Sequence, residues 1–172
     1  MKKLILLFLL VFPLQDYGQE HLTFLDLSIT GDMKTFVKAL ERKGFSKEVG
    51  KGWFHGMKTK YLRGDFWMFP DCDVVVRQPK KYQNVTSVYV HPKNNFLLLN
   101  RLIGVLDQKY GSHTVSTSDV DVNALTYIWD TPEGTIEIFG TVVYGQGFDI
   151  LYRDHVEVKM LNHVISVIDN DL

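Results

Sequence analysis

The chain has 172 residues, of which 45% are hydrophobic and 23% charged, and its formal net charge is −1. Chain and apolar side chains suffice for one packed core, which excludes a disordered protein. The near-neutral balance offers no overall basic field for nucleic acid or for an anionic membrane.

Lys2 and Lys3 precede an uncharged run from Leu4 to Leu14, broken only by Pro13. Asp16 to Gln19 then restore polarity around the small Gly18. A positive start, an apolar core and a small polar exit are the order of a secretory signal. The run is too short to span a bilayer, which takes about 20 apolar residues. The sequence thus predicts a signal peptide over 1–18 and one domain over 19–172. No later segment is long and apolar enough to span a membrane once the signal is removed. Cys72 is the only cysteine, so no internal disulfide can form, and it lies far from the signal, where a lipid anchor would sit. A short signal without disulfides suits a bacterial envelope, so the expected location is periplasmic or secreted.

His21 to Ile29 alternates as a strand, and Thr30-Gly31-Asp32 breaks it. Thr30 or Asp32 can cap a helix in which Met33, Phe36, Val37 and Leu40 share one face. Gly44 should stop that helix in a left-handed conformation, with Phe45 folding back on Leu40. From Gly52 to Val90 the period becomes two. Trp53–Lys60 and Tyr61–Phe69 read as strands, Pro70-Asp71 as a break, and Cys72–Arg77 and Val85–His91 as two more strands. Short connections make them antiparallel neighbours.

After His91-Pro92, Asn94 or Asn95 can cap a helix over Phe96–Leu106 that is apolar almost all round and so expected to be buried on more than one side. Gly111 ends it, and Ser112–Asn123 reads as a loop or a ragged edge strand. Leu125–Asp130, Thr135–Tyr144 and Phe148–Tyr152 are strands, joined at Thr131-Pro132-Glu133-Gly134 and Gly145-Gln146-Gly147. A last helix starts near Asp154, with Val156, Met160, Val164 and Ile168 on one stripe and Leu161 and Ile165 beside it.

Phe36–Phe45 can be laid on Leu102–Gly111, with Leu40 on Leu106 and Lys43 on Lys109. Each copy is a helix followed by strands that return by hairpins. The expected fold class is α+β. Two helix-plus-antiparallel-meander halves, about 22–92 and 93–154, share one layer of helices on sheet, and a C-terminal helix spans 155–169. Phe36–Phe45, Tyr61–Phe66 and Leu106–Gly111 carry a resemblance to β-lactamase-inhibitor-protein-like folds and to small envelope assembly lipoproteins. They also resemble small exported proteins of unknown function common in Bacteroides-type bacteria. The resemblance covers roughly residues 22–154 and implies the tandem fold. The inhibitor fold is supported by disulfides and the assembly proteins by a lipidated cysteine, and this chain has neither, so no site residue is carried over.

Catalytic signals are sparse. Cys72 lies between Asp71 and Asp73, and carboxylates oppose the thiolate that a nucleophile needs. No pair among His21, His55, His91, His113, His155 and His163 has the i, i+4 spacing of a helical metal site, and Asp154-His155 reads as a helix cap plus a surface histidine. Asp119, Asp121 and Asn123 lack the glycine and distant glutamate of a calcium loop. Glu133 and Glu137 read as solvated strand acids, and Asn84-Val85-Thr86 as an accidental glycosylation match. No nucleophile elbow or phosphate loop occurs. Neither a catalytic set, a metal site nor a cofactor is expected.

The aromatic set from Trp53 to Phe69 is the sharpest remaining feature. Exposed on an open sheet face, Trp53, Tyr61 and Trp67 would make a platform for a protein or a glycan. The sequence reading is thus an exported, non-enzymatic binding or inhibitory module, with no nucleic-acid partner. A secreted hydrolase using Cys72, Asp73, His91 or Glu133, and an envelope assembly factor, are its rivals.

Overall fold

The computed structural model describes residues 20–48, 56–93, 96–117, 124–141 and 147–170. The expected signal, Trp53, His55, Asn94, Asn95, Asp119, Asp121 and Asn123 lie outside them.

The α+β class holds: three helices stand with an eight-stranded antiparallel sheet and a two-stranded ribbon. The ribbon replaces the single strand expected over His21–Ile29. β1 (Thr23–Phe24) pairs with β2 (Leu27–Ser28), and Leu25 and Asp26 turn the chain at φ 49° and 62°. Two left-handed residues match the twist of a tight hairpin, which side-chain alternation alone does not reveal.

α1 (Met33–Arg42) starts where Asp32 accepts from the amides of Lys34 and Thr35, both at 3.0 Å. It ends as the sequence predicts. Gly44 has φ 98°, its N–H donates to the Glu41 carbonyl, and the Phe45 N–H donates to the Leu40 carbonyl. β3 (Ser46–Glu48), β4 (Met57–Phe66), β5 (Phe69–Pro79) and β6 (Ser87–His91) form the first meander. β4 is one strand where two were expected, and β5 runs through Pro70-Asp71 without a break. The reason is a bulge: Gly64 pairs with Cys72 and Phe66 with Phe69, so Pro70 and Asp71 together oppose Asp65. A bulge accommodates proline's missing donor, and the Asp71 N–H is satisfied by the Asp65 carboxylate.

α2 (Leu99–Tyr110) follows a 3-10 turn over Phe96–Leu98. It is less enclosed than expected. Leu99, Leu102, Ile103 and Leu106 form one buried face, whereas Leu97 is 95% exposed and Gly104 faces solvent. The irregular start rotates Leu97 out of the apolar stripe. β7 (Thr114–Thr117), β8 (Ala124–Thr131), β9 (Gly134–Thr141) and β10 (Asp149–Asp154) form the second meander. α3 (His155–Asn170) closes the chain.

The strand order β3-β4-β5-β6-β10-β9-β8-β7 sets the two meanders back to back. The last strand of each meets at the centre, where Val90 pairs with Ile150 and Val88 with Tyr152. The first strand of each lies at an outer edge, with every residue exposed. Short polar edges resist pairing with other chains. The helix echo is real in three dimensions. In one ungapped alignment Met33, Phe36, Val37 and Leu40 fall on Leu99, Leu102, Ile103 and Leu106, and all eight are buried.

One face of the sheet, with Leu62, Val74, Val76, Val88, Val90, Ile138, Ile150 and Trp129, forms the core with α1, α2 and the ribbon. Phe45 packs against Gly64 so closely that a Cβ there would come within 2.6 Å of its ring. The opposite face is not bare. Val75, Ser87 and Leu151 are buried there, and α3 packs on β9 and β10. The apolar stripe predicted for α3 does not govern its start: His155 and Glu157 are buried while Leu161 is 40% exposed. Glu157 is drawn in by polar partners, accepting from the Thr86 hydroxyl at 2.6 Å and facing Arg153. That contact also buries the hydroxyl of the Asn84-Val85-Thr86 motif.

Candidate functional site

Of the three predicted platform residues, Tyr61 and Trp67 are described, and the fold does not place them on one face. Tyr61 is half-buried on the side of β4 opposite Leu62. Trp67 sits in the β4–β5 turn at φ 50°, 38% exposed, with its ring stacked on Phe66 at 5.0 Å. The neighbouring Phe66 and Phe69 are core residues, stacked or edge-on with Phe24, Tyr152 and Phe148.

The residues of the hydrolase rival do not assemble either. Cys72 is fully buried on the helix side, and burial pushes its thiol up to about 11. It donates to the Phe69 carbonyl. Asp73 and His91 are cross-strand partners on the other face, but each is engaged elsewhere. Arg63 holds Asp73 at 3.2 Å, and His91 Nδ1 lies 2.6 Å from Asp149. Tyr89, close by, is raised by burial and by its hydrogen bond to Asp149. Asp73 and His91 are thus each held in a charge pair, and Cys72 lies on the other face from both. Glu133 is half-buried in the β8–β9 turn, and its carbonyl accepts from the His155 N–H.

A different feature stands out among the described residues. A groove of about 890 Å³ opens between the first turns of α1 and the β4–β5 end of the sheet. α1 contributes Lys34 and Lys38, spaced i, i+4 on one side of the helix. β3 adds Lys47, and β4 adds Lys58 and Lys60, two residues apart and so on one side of the strand. Lys80 and Lys81 come from the turn after β5. Among the described residues, seven lysines therefore line one groove, against a single carboxylate, Asp32. That carboxylate is committed to capping α1, where the Thr35 hydroxyl and the amides of Thr35 and Lys34 hold it below the usual aspartate range. Among the described residues, the one ion pair reaching these lysines joins Lys47 to Glu41 at 2.7 Å.

The electrostatic meaning is plain. Ammonium groups from four parts of the chain repel one another, and the positive end of the α1 dipole points the same way. An anion in the groove relieves that repulsion. Met33, Val37 and the 42%-exposed Tyr82 add apolar surface, and Gln83 an amide. Gln78, also on the wall, is used internally, donating to the Tyr82 carbonyl at 2.8 Å. Net charge hid this groove from sequence reading, because carboxylates elsewhere cancel it in the total. The available signals were local: Lys34 and Lys38 at helical spacing, and Lys58 and Lys60 at strand spacing.

No helix among the described residues is long and apolar enough to cross a membrane. No known family model, curated protein or solved structure matches the chain.

Proposed function

We propose that the protein is an exported, non-enzymatic binding module whose lysine groove takes an anionic oligosaccharide of the cell envelope or its surroundings. The single observation that carries this reading is the convergence of seven lysines, opposed among the described residues only by a carboxylate that is already a helix cap. Lysine is a compact point charge on a flexible stem, suited to phosphate or carboxylate groups without strict directional demands. The volume falls in the range of sites for compact ligands. Tyr82 offers a ring face to a sugar, and Gln83 an amide to its hydroxyls. The Lys2-Lys3 start and the Leu4–Leu14 run support export.

Calorimetric titration with a carboxylated oligosaccharide, a phosphorylated one, a neutral analogue and an acidic peptide of equal charge tests the reading. The anionic sugars should bind, with affinity falling as salt is raised. Lys58→Glu with Lys60→Glu should weaken them at least tenfold. Equal binding of the neutral sugar, or preference for the acidic peptide, rejects the glycan reading. For export, protein recovered from the envelope should begin near Gln19. A cytosolic protein that retains Met1 rejects that part.

A further inference from the structure

At the opposite end of β10 from the Asp149–His91 pair, three ligand-type side chains meet. We infer that His21, Asp154 and His155 form a site for a divalent first-row transition metal, with zinc the natural occupant. The donor atoms of all three lie within 4.8 Å of one another. His21 Nδ1 is 2.9 Å from Asp154 Oδ2, and His155 Nδ1 is 3.2 Å from Asp154 Oδ1. Zinc holds nitrogen and oxygen donors at about 2.0–2.2 Å, which places tetrahedral donors about 3.4 Å apart. Small rotations of the side chains would bring the trio, already grouped on that scale, to that spacing.

A second, independent observation points to a ligand here. The His155 side chain is only 8% exposed, and among the described residues its Nδ1 is a buried polar atom with no hydrogen-bond partner, although it faces the Asp154 carboxylate at 3.2 Å. A buried nitrogen left in that state is unfavourable, and natural structures seldom tolerate it. A cation between the rings gives that lone pair a partner.

The surroundings prepare the site. Asp154 is 1% exposed, and both its oxygens are oriented by backbone amides, Oδ2 by Leu22 and Oδ1 by Val156. The Asp154 N–H donates to the Thr86 carbonyl and the His155 N–H to the Glu133 carbonyl, so the two ligands are held from two further segments. Support of this kind orients metal ligands and raises affinity. His21, at 29% exposure, is the side open to solvent, where an ion can enter and a water can complete four-coordination. Two imidazoles and one carboxylate suit zinc and copper(II) better than magnesium or calcium.

The consequence is structural. His21 precedes β1, whereas Asp154 and His155 form the junction of β10 and α3. An ion there fastens the first described segment to the last, in a chain whose lone cysteine allows no disulfide.

The test uses metal-free protein titrated with zinc chloride, read by calorimetry and by thermal unfolding. One ion should bind per chain, and unfolding should rise in temperature as zinc is added. His21→Ala leaves the buried pair intact, should fold normally, and should weaken zinc at least tenfold. His155→Ala should abolish both the binding and the zinc-dependent thermal shift. His91→Ala, at the separate pair with Asp149, should change neither. Unaltered zinc binding in His21→Ala or His155→Ala, loss of it in His91→Ala, or no binding to the native chain overturns the assignment. Asp154→Asn tests the carboxylate, with circular dichroism confirming its fold. Retained affinity in that folded variant also counts against the site.

Discussion

Asp107, in the last turn of α2, accepts the indole N–H of Trp129 on β8 at 3.0 Å, and Trp129 is sealed in the core. The same oxygen accepts from His113 Nδ1 at 2.8 Å and from the His113 N–H. One carboxylate thus ties α2 to β8 and to the approach to β7. Hydrogen bonds from His113 and Trp129 hold its carboxyl below the usual aspartate range.

A group whose pKa is lower in the folded state contributes stability that is complete above its unfolded pKa, about 3.9, and lost as pH falls through the folded value. Thermal unfolding measured from pH 6 to pH 2 should therefore show Asp107→Asn less stable than wild type at pH 6. The gap should narrow in acid. Parallel curves across the whole range would mean that the charge on Asp107 contributes nothing.

The contact between Phe45 and Gly64 predicts a steric penalty. Gly64→Ala should destabilise by about 1–3 kcal/mol through overpacking. The backbone at Gly64 is not left-handed, so the penalty comes from the Phe45 ring alone. Combined with Phe45→Ala, most of it should vanish in a denaturant double-mutant cycle. Additive effects would refute the coupling.

Leu40 and Leu106 occupy equivalent places under the two meanders, and both are fully buried. Leu40→Ala and Leu106→Ala should each cost about 2–5 kcal/mol, with both variants unfolding in one cooperative transition. A separate early transition in either variant would show that the halves are independent units rather than one core.

Cys72 should be chemically silent in the native protein. Its thiol is fully buried, and its pKa of about 11 leaves little thiolate at pH 8. A colorimetric thiol reagent should react with one equivalent in guanidinium and with almost none in native buffer. Rapid native labelling would contradict the burial of this residue.

Much of the local structure is legible in the residues themselves. The helix cap at Thr30 or Asp32 and the Gly44-Phe45 stop follow from side-chain chemistry within a few residues, whereas β3 leaves no side-chain alternation to read. The echo between Leu40 and Leu106 is legible as well, since a buried helix face must recur at helical spacing. Two local features run against the side-chain pattern. Left-handed Leu25 and Asp26 disguise a hairpin as a strand, and the bulge at Pro70-Asp71 disguises a strand as a break. The candidate sites were out of reach for another reason. Lys38 shares a groove with Lys58 and Lys80, and His21 meets His155, only through pairings between segments far apart in the chain.

By itself, then, the sequence determined the α+β class, the two helix-plus-meander halves and the helix that closes them. Those depend on side-chain period, caps and turns, which act between near neighbours. Tertiary structure alone decided that β6 and β10 would join the halves, that seven lysines would share a groove, and that a histidine near the start would face an aspartate 133 positions later. Strand register and helix packing set those distances, and charge and ligand chemistry act through space rather than along the chain.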